Sequence, residues 1–190
     1  KDIVMLLTIG IRGLCTRTET VKNLLASLSD QIHNCPFPVE LIYFSDIGAP
    51  KASCGMGLKG NRIADIASGK YISFVDDDDL VADNYVLKIC TELANSDVDC
   101  IGITGIITSP SGKEAKFIHS IVNDIWEEKD GVFLRSPSQI NPIRTTIARQ
   151  KFSSDAYNSD HEYADAVKSL IKTEKFIEDP LYFYRPNYEF

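Results

Sequence analysis

The sequence predicts an α/β fold: a mixed, mainly parallel central sheet with helices on both faces. Three observations carry this. Apolar runs of strand length alternate with amphipathic helical stretches over residues 1–98, the pattern of βαβ units. Beyond Asp97 two strand-like runs follow one another with no helix between them, which is hairpin grammar and makes the sheet mixed. Polar and acidic groups stand where the early runs end, at the edge where open α/β sheets bind ligands. With 190 residues the chain is long enough for one domain with a full core, read here as 1–190 in two halves, 1–98 and 99–190.

The elements follow in order. Ile3-Val-Met-Leu-Leu-Thr-Ile9 is an apolar run of strand length. From Glu19, Val21, Leu24, Leu25 and Leu28 recur at helical spacing, with Thr18 placed to cap them. Val39-Glu-Leu-Ile-Tyr-Phe44 is the second strand and ends at Ser45-Asp46. Lys51 to Gly60 is a glycine-rich loop, followed by a short helix with Ile63, Ile66 and Ala67 on one face and Gly69 as its stop. The third strand is Tyr71-Ile-Ser-Phe-Val75; Asp83 then caps a helix carrying Val86, Leu87, Cys90 and Leu93. Cys100–Thr108 and Lys116–Val122 read as paired strands around a Ser-Pro-Ser-Gly turn at 109–112. Asn123 to Ser138 is a polar stretch holding Trp126, the one tryptophan of the chain. Ala164, Val167, Leu170 and Ile171 define a helix over 161–171, and Phe176–Tyr184 is a closing aromatic strand.

Composition narrows the function classes. A net charge of −7 and a sequence pI near 5.0 argue against a nucleic-acid partner, whose footprint is basic. No apolar run reaches the ~18 residues needed to span a bilayer, and no signal-peptide pattern opens the chain. The five cysteines (15, 35, 54, 90 and 100) form no CxxC pair and are odd in number, as expected of free thiols in a reducing, cytoplasmic compartment.

The chemistry concentrates at Asp76-Asp-Asp-Asp79, directly after the third strand. Carboxylates in a row at a sheet edge repel one another unless positive charge is held there, and a hard divalent cation is the usual partner. The alternative is an acidic turn that also caps a helix. Three strand ends, Thr8 to Gly10, Ser45 to Asp46 and Asp76 to Asp79, converge on one crevice in such a sheet. Asp46 there suits a base N–H or a ribose hydroxyl, and the Asp76–Asp79 group suits a cation neutralising a diphosphate. Lys59 or Arg62 completes a nucleotide pocket or is a solvated helix charge.

The stretch Lys59-Gly-Asn-Arg-Ile-Ala-Asp-Ile-Ala-Ser-Gly-Lys-Tyr-Ile-Ser-Phe-Val-Asp-Asp-Asp-Asp79 resembles the centre of family-2-type glycosyltransferases of the GT-A fold. In that family a basic, Asn-containing helix start leads through Ala-x-Gly-x-Tyr-Ile to a strand and a D-x-D motif. Asn141-Pro142, Ser159-Asp160-His161-Glu162-Tyr163 and Pro180-Leu-Tyr-Phe-Tyr184 are similar to the family's N-P segment, its E-D helix opening and its closing strand. The first strand departs, with Thr8-Ile-Gly-Ile-Arg12 in place of Pro-Thr-Tyr-Asn-Arg. So do Ser45-Asp46-Ile47-Gly48 in place of Asp-Asp-Gly-Ser, and Ser159-Asp160 in place of Glu-Asp.

The resemblance implies a metal-dependent transfer of sugar from a nucleotide-diphosphate donor, a UDP-sugar, to a hydroxyl of a glycan or glycoprotein acceptor, with Mn²⁺ or Mg²⁺ as cofactor. It makes 1–98 the donor half and 99–190 the acceptor half. Asp78 and Asp76 would hold the metal, with Asp76 also near the ribose. Asp79 would support the sugar, and Asp77, counted with the nucleotide-sugar contacts, is the spacer. Thr8, Gly10, Asp46, Lys59 and Arg62 complete the donor set, and Asp160 would be the base of an inverting reaction. Asp160 also suits simple capping of the 161–171 helix. Trp126 stacks on an acceptor sugar or anchors packing. His161 is an acceptor group or a solvated first-turn residue, and His33 and His119, with no metal-spaced partners, are read as structural. A retaining transferase, a sugar-1-phosphate nucleotidyltransferase and a calcium-holding binding module are the rivals. For the nucleotidyltransferase, Ile9-Gly-Ile-Arg-Gly13 is a weak version of the glycine-rich loop required.

Overall fold

The computed structural model describes residues 4–14, 16–45, 55–150, 152 and 159–190. Within them lie β1 (Leu7–Gly13), α1 (Thr18–His33), β2 (Val39–Ser45), α2 (Met56–Ile66), β3 (Tyr71–Asp76), β4 (Leu80–Val81), α3 (Tyr85–Asn95), β5 (Cys100–Thr108) and β6 (Glu114–His119). They continue with β7 (Glu127–Lys129), β8 (Val132–Arg135), β9 (Ile143–Arg144), α4 (Thr145–Ala148), α5 (Ser159–Lys168) and β10 (Glu174–Tyr184). One mixed sheet runs β2-β1-β3-β9-β5-β6-β8-β7, with β10 beside β5 and β4 beside β10. β1 pairs parallel with β2 and β3, β10 with β5, and β6 with β8; β5–β6 is the long antiparallel pair.

Strand alternation explains the layers. In β3, Tyr71 and Val75 join Leu7, Ile9 and Ile11 of β1 in a core sealed by α1 (Val21, Leu24, Leu28) and α3 (Val86, Ile89, Leu93). Ile72 and Phe74 point to the opposite face, where α2 (Ile63, Ala64) and α5 (Tyr163, Val167) cover them. The same parity sends Arg12 of β1 and Asp76 of β3, register partners, towards the α2–α5 face. That placement builds the site.

Several sequence expectations are corrected. The first strand spans Leu7–Gly13, four residues later than the apolar run beginning at Ile3. Gly10 and Gly13 lie within it, and neighbours require them: a Cβ on Gly10 would lie 2.7 Å from Ile63 Cγ2, and one on Gly13 2.8 Å from the Tyr43 hydroxyl. Thr18 lies inside α1, whose N-cap residue is Arg17. Asp83 does not cap α3; Gln31 of α1 reaches across and accepts from the Val86 N–H at 3.0 Å. Helix α2 ends at Ile66 with Ala67 as C-cap, and Gly69 serves instead a close approach, its missing Cβ leaving room for the Thr8 backbone N–H. The polar stretch 123–138 contains the β7–β8 hairpin, turned by Asp130 and Gly131 at φ 52° and 75°. Among the described residues no helix is long and apolar enough to cross a membrane.

Candidate active site

Arg12 organises the site. It is 1% exposed at the carboxyl end of β1, its guanidinium 5.3 Å from the Phe152 ring centre and 5.8 Å from that of Phe74. Nη2 donates to Asp76 Oδ1 at 2.7 Å and Nη1 to Asp160 Oδ1 at 2.8 Å. Burial works against its charge, but Asp76 and Asp160 outweigh burial and raise its pKa. One arginine therefore ties the end of the third strand to the first turn of α5, 84 residues further along the chain. Asp160 lies in that first turn, within the helix, and not at a cap ahead of residue 161.

The four aspartates separate by alternation. Asp77 and Asp79 are buried, while Asp76 and Asp78 are partly open. Asp77 accepts from the Leu14 N–H at 2.6 Å and from Arg17 Nη1 at 2.7 Å, so it holds the β1–α1 connection. Both of these bonds tie the fold together. Asp79 accepts from the Tyr182 hydroxyl at 2.7 Å and the Arg185 N–H at 3.0 Å, pinning the end of β10. Asp78 pairs with Arg17 at 2.9 Å and otherwise faces the cleft.

The cluster is short of positive charge. Burial, and then the neighbouring Asp76 charge, hold the Asp79 carboxyl well above the usual range. Burial also raises Asp76, opposed by Arg12 and reinforced by Asp160 and Asp78. Asp78 is raised by burial against the pull of Arg17.

Two cavities meet at Asp76, Asp160 and Tyr184, which line both. One, of about 390 Å³, is lined by Arg12, Arg17, Met56, Asp78, Arg185 and Asn187 among others. The other, of about 260 Å³, includes Asp79, His119, Trp126, Arg135, His161 and Tyr182. The Trp126 and His161 rings meet in its wall, 4.0 Å between centres and tilted by 42°.

The remaining expected site residues are distributed as follows. Thr8 sits near the amino-terminal end of β1 and Gly10 at its middle, so neither stands at the carboxyl edge. Thr8 is four residues before Arg12, about 13 Å along the strand, and donates to Glu40 while accepting from the Gly69 N–H. Asp46 lies outside the described residues. Lys59 is fully buried and donates to the Gly13 carbonyl at 2.6 Å, so it braces the end of β1 from beneath. Arg62 is exposed on α2 and lines neither cavity.

Arg12, Arg17, Tyr182 and Arg135 escaped the sequence reading. For Arg12 a signal existed: one cation in an otherwise uncharged Leu-Thr-Ile-Gly-Ile-Arg-Gly strand, in register with the first aspartate.

No family model matches the chain, and no curated protein sequence does. Solved structures do match. S. aureus TarS 1–349 in complex with UDP-GlcNAc aligns at a TM-score of 0.70 and 14% identity, over 97% of this chain and 60% of that one. Its complex with UDP gives 0.70 and 14% over 96% of this chain and 61% of that one. The longer S. aureus TarS structure gives 0.65 and 13% over 96% and 37%. The fold is GT-A. This GT-A chain spans about three fifths of TarS 1–349. In the GT-A frame the Asp76–Asp79 turn stands at the carboxyl edge of the parallel strands β1 and β3.

Proposed function

We propose that the protein is a glycosyltransferase that moves a sugar from a nucleotide-diphosphate donor, UDP-linked, to an acceptor hydroxyl with inversion at the anomeric carbon. The observation that carries this reading is the meeting of two cavities at Asp76 and Asp160, two carboxylates from opposite parts of the chain held by one buried arginine. The UDP and UDP-GlcNAc complexes of TarS, which shares the fold, support the donor class.

The cavity of about 390 Å³ suits the diphosphate: Arg12, Arg17 and Arg185 line it, and an arginine fork matches phosphate oxygens. The acidic turn fits a divalent cation, because the Asp76, Asp78 and Asp79 carboxyl groups are raised by burial and by neighbouring carboxylates, the mark of an uncompensated negative cluster. Among the described residues no three ligating side chains form a cage. Mg²⁺ and similar ions need none when one or two carboxylates share them with phosphates. Asp78 and Asp76 would hold Mn²⁺ or Mg²⁺, which supplies charge neutralisation for the departing diphosphate.

The chain does the rest. Arg12 takes Asp160 Oδ1 and leaves Oδ2 outside that bond, where it accepts the proton of the acceptor hydroxyl as the oxygen attacks the anomeric carbon. The bond to the diphosphate breaks on the opposite side. Tyr182, whose phenol is held well above its usual pKa by burial and by Asp79 and Asp76, stays protonated and donates to Asp79. The cavity of about 260 Å³ draws most of its wall from residues 117–188, which supports an acceptor role for the second half of the chain. Free Cys35, Cys90 and Cys100 support a reducing, cytoplasmic compartment.

With Mn²⁺ and a UDP-sugar, Asp78→Ala is expected to lower turnover by about a hundredfold or more, as loss of a metal ligand does. Hydrolysis or transfer measured against Mn²⁺ concentration checks this. Equal activity of variant and wild type removes the metal assignment.

A further inference from the structure

The cavity of about 260 Å³ is lined by charges of both signs. Asp76, Asp79 and Asp160 supply the carboxylates and Arg135 the guanidinium, with His119, kept neutral by burial, and His161 also in the lining. Arg135 closes β8 and His119 closes β6, and the two are register partners, so their side chains leave the sheet on the same face.

Arg135 differs from three arginines of the fold that are held by carboxylates. Arg12, Arg17 and Arg144 each reach two carboxylates. The Arg135 guanidinium lies instead on aromatic rings, 4.8 Å from the Trp126 centre and 5.8 Å from that of Phe133. The groups that favour its charge are Tyr188 and Tyr184, and no carboxylate among the described residues pairs with it. In a chain of net charge −7, a largely desolvated cation without a counter-charge is costly unless a ligand completes it. Beside it, His119 is buried, with Nδ1 3.1 Å from the Ser138 hydroxyl and Nε2 without a partner among the described residues. Gln139 Oε1, from the same lining, is likewise buried and unpartnered.

We propose that Arg135 is an anion subsite for the acceptor: it receives a phosphate or carboxylate carried by the acceptor while a nearby hydroxyl of the same molecule reaches Asp160. The acceptor is then an anionic sugar or glycan, not a neutral one. This rests on the transferase reading, which assigns the donor diphosphate to the other cavity, beyond Asp76 and Asp160. Trp126, carrying Arg135 against its ring, offers an apolar face to a sugar next to the anion.

The test is calorimetric titration of the full chain, first with UDP and Mn²⁺ and then, with both saturating, with glucose, glucose 6-phosphate and inorganic phosphate. Glucose 6-phosphate is expected to bind about tenfold or more tighter than glucose, the size of one charge-assisted hydrogen bond. Arg135→Gln is expected to erase that preference and Arg135→Lys to keep much of it, with circular dichroism confirming that both fold. Equal binding of the two sugars by the wild type, or an undiminished preference in Arg135→Gln, overturns the proposal. So does a selective loss of UDP-glucuronate relative to UDP-glucose in Arg135→Gln with glucose 6-phosphate unaffected, since the anion would then belong to the donor. Absence of UDP binding would count against the transferase reading, whereas normal UDP binding without a phosphate preference counts against this subsite alone.

Discussion

Asp160→Asn is expected to lower sugar transfer by about a thousandfold while UDP affinity stays within a few-fold of wild type. Asparagine keeps the oxygen that accepts from Arg12 and nearly the same volume, so α5 and its link to β1 persist. It cannot take the acceptor proton. The stability cost is small, because the Asp160 side chain is 37% exposed and its ion pair is correspondingly screened, to less than about 1 kcal/mol. Parallel measurement of transfer rate and of UDP binding separates chemistry from folding. Surviving transfer would remove the base assignment and make a retaining course the better description.

Arg12→Met carries the second large effect, and it acts on stability as well as activity. Methionine fills much of the volume between the Phe74 and Phe152 rings but leaves Asp76 and Asp160 facing each other without a cation. Removing one partner of a buried ion pair costs about 3–5 kcal/mol; the lower end applies, since Asp76 is 21% and Asp160 37% exposed. Chemical denaturation should show a loss near 3 kcal/mol, with a smaller loss for Arg12→Lys, whose ammonium keeps the charge but not the two-pronged fork. An Arg12→Met protein as stable as wild type would mean that Arg12 is not the brace of the site.

The βαβ half was legible because apolar alternation and helical spacing both reflect burial, and burial decided the outcome: Val21, Leu24 and Leu28 are all in the core. The position of the first strand was not legible. Ile9-Gly-Ile-Arg-Gly13 has weak strand propensity, and the tight approach of Ile63 and Tyr43, a tertiary fact, makes glycine necessary there. That shift placed Thr8 and Gly10 at the ligand edge in the sequence reading and hid Arg12.

Within Asp76–Asp79, four identical residues carry no signal of which face the cleft. The pleat and the partners Leu14, Arg17, Tyr182 and Arg185 make that distinction. The β7–β8 hairpin, by contrast, had a readable Asp130-Gly131 turn flanked by short strands, obscured by the polarity of Glu127-Glu-Lys129. Trp126 and His161 do share a wall with Asp160, although 35 residues separate them in sequence.

Titration of the wild-type chain with UDP, in Mn²⁺ and separately in Ca²⁺ alone, tests the central claim most directly. A nucleotide-sugar site built on Asp76 and Asp78 predicts saturable UDP binding in Mn²⁺ that is lost when the metal is chelated. A chain that binds either metal yet shows no heat of binding with UDP would contradict it, and would leave the acidic turn as a plain cation-holding loop.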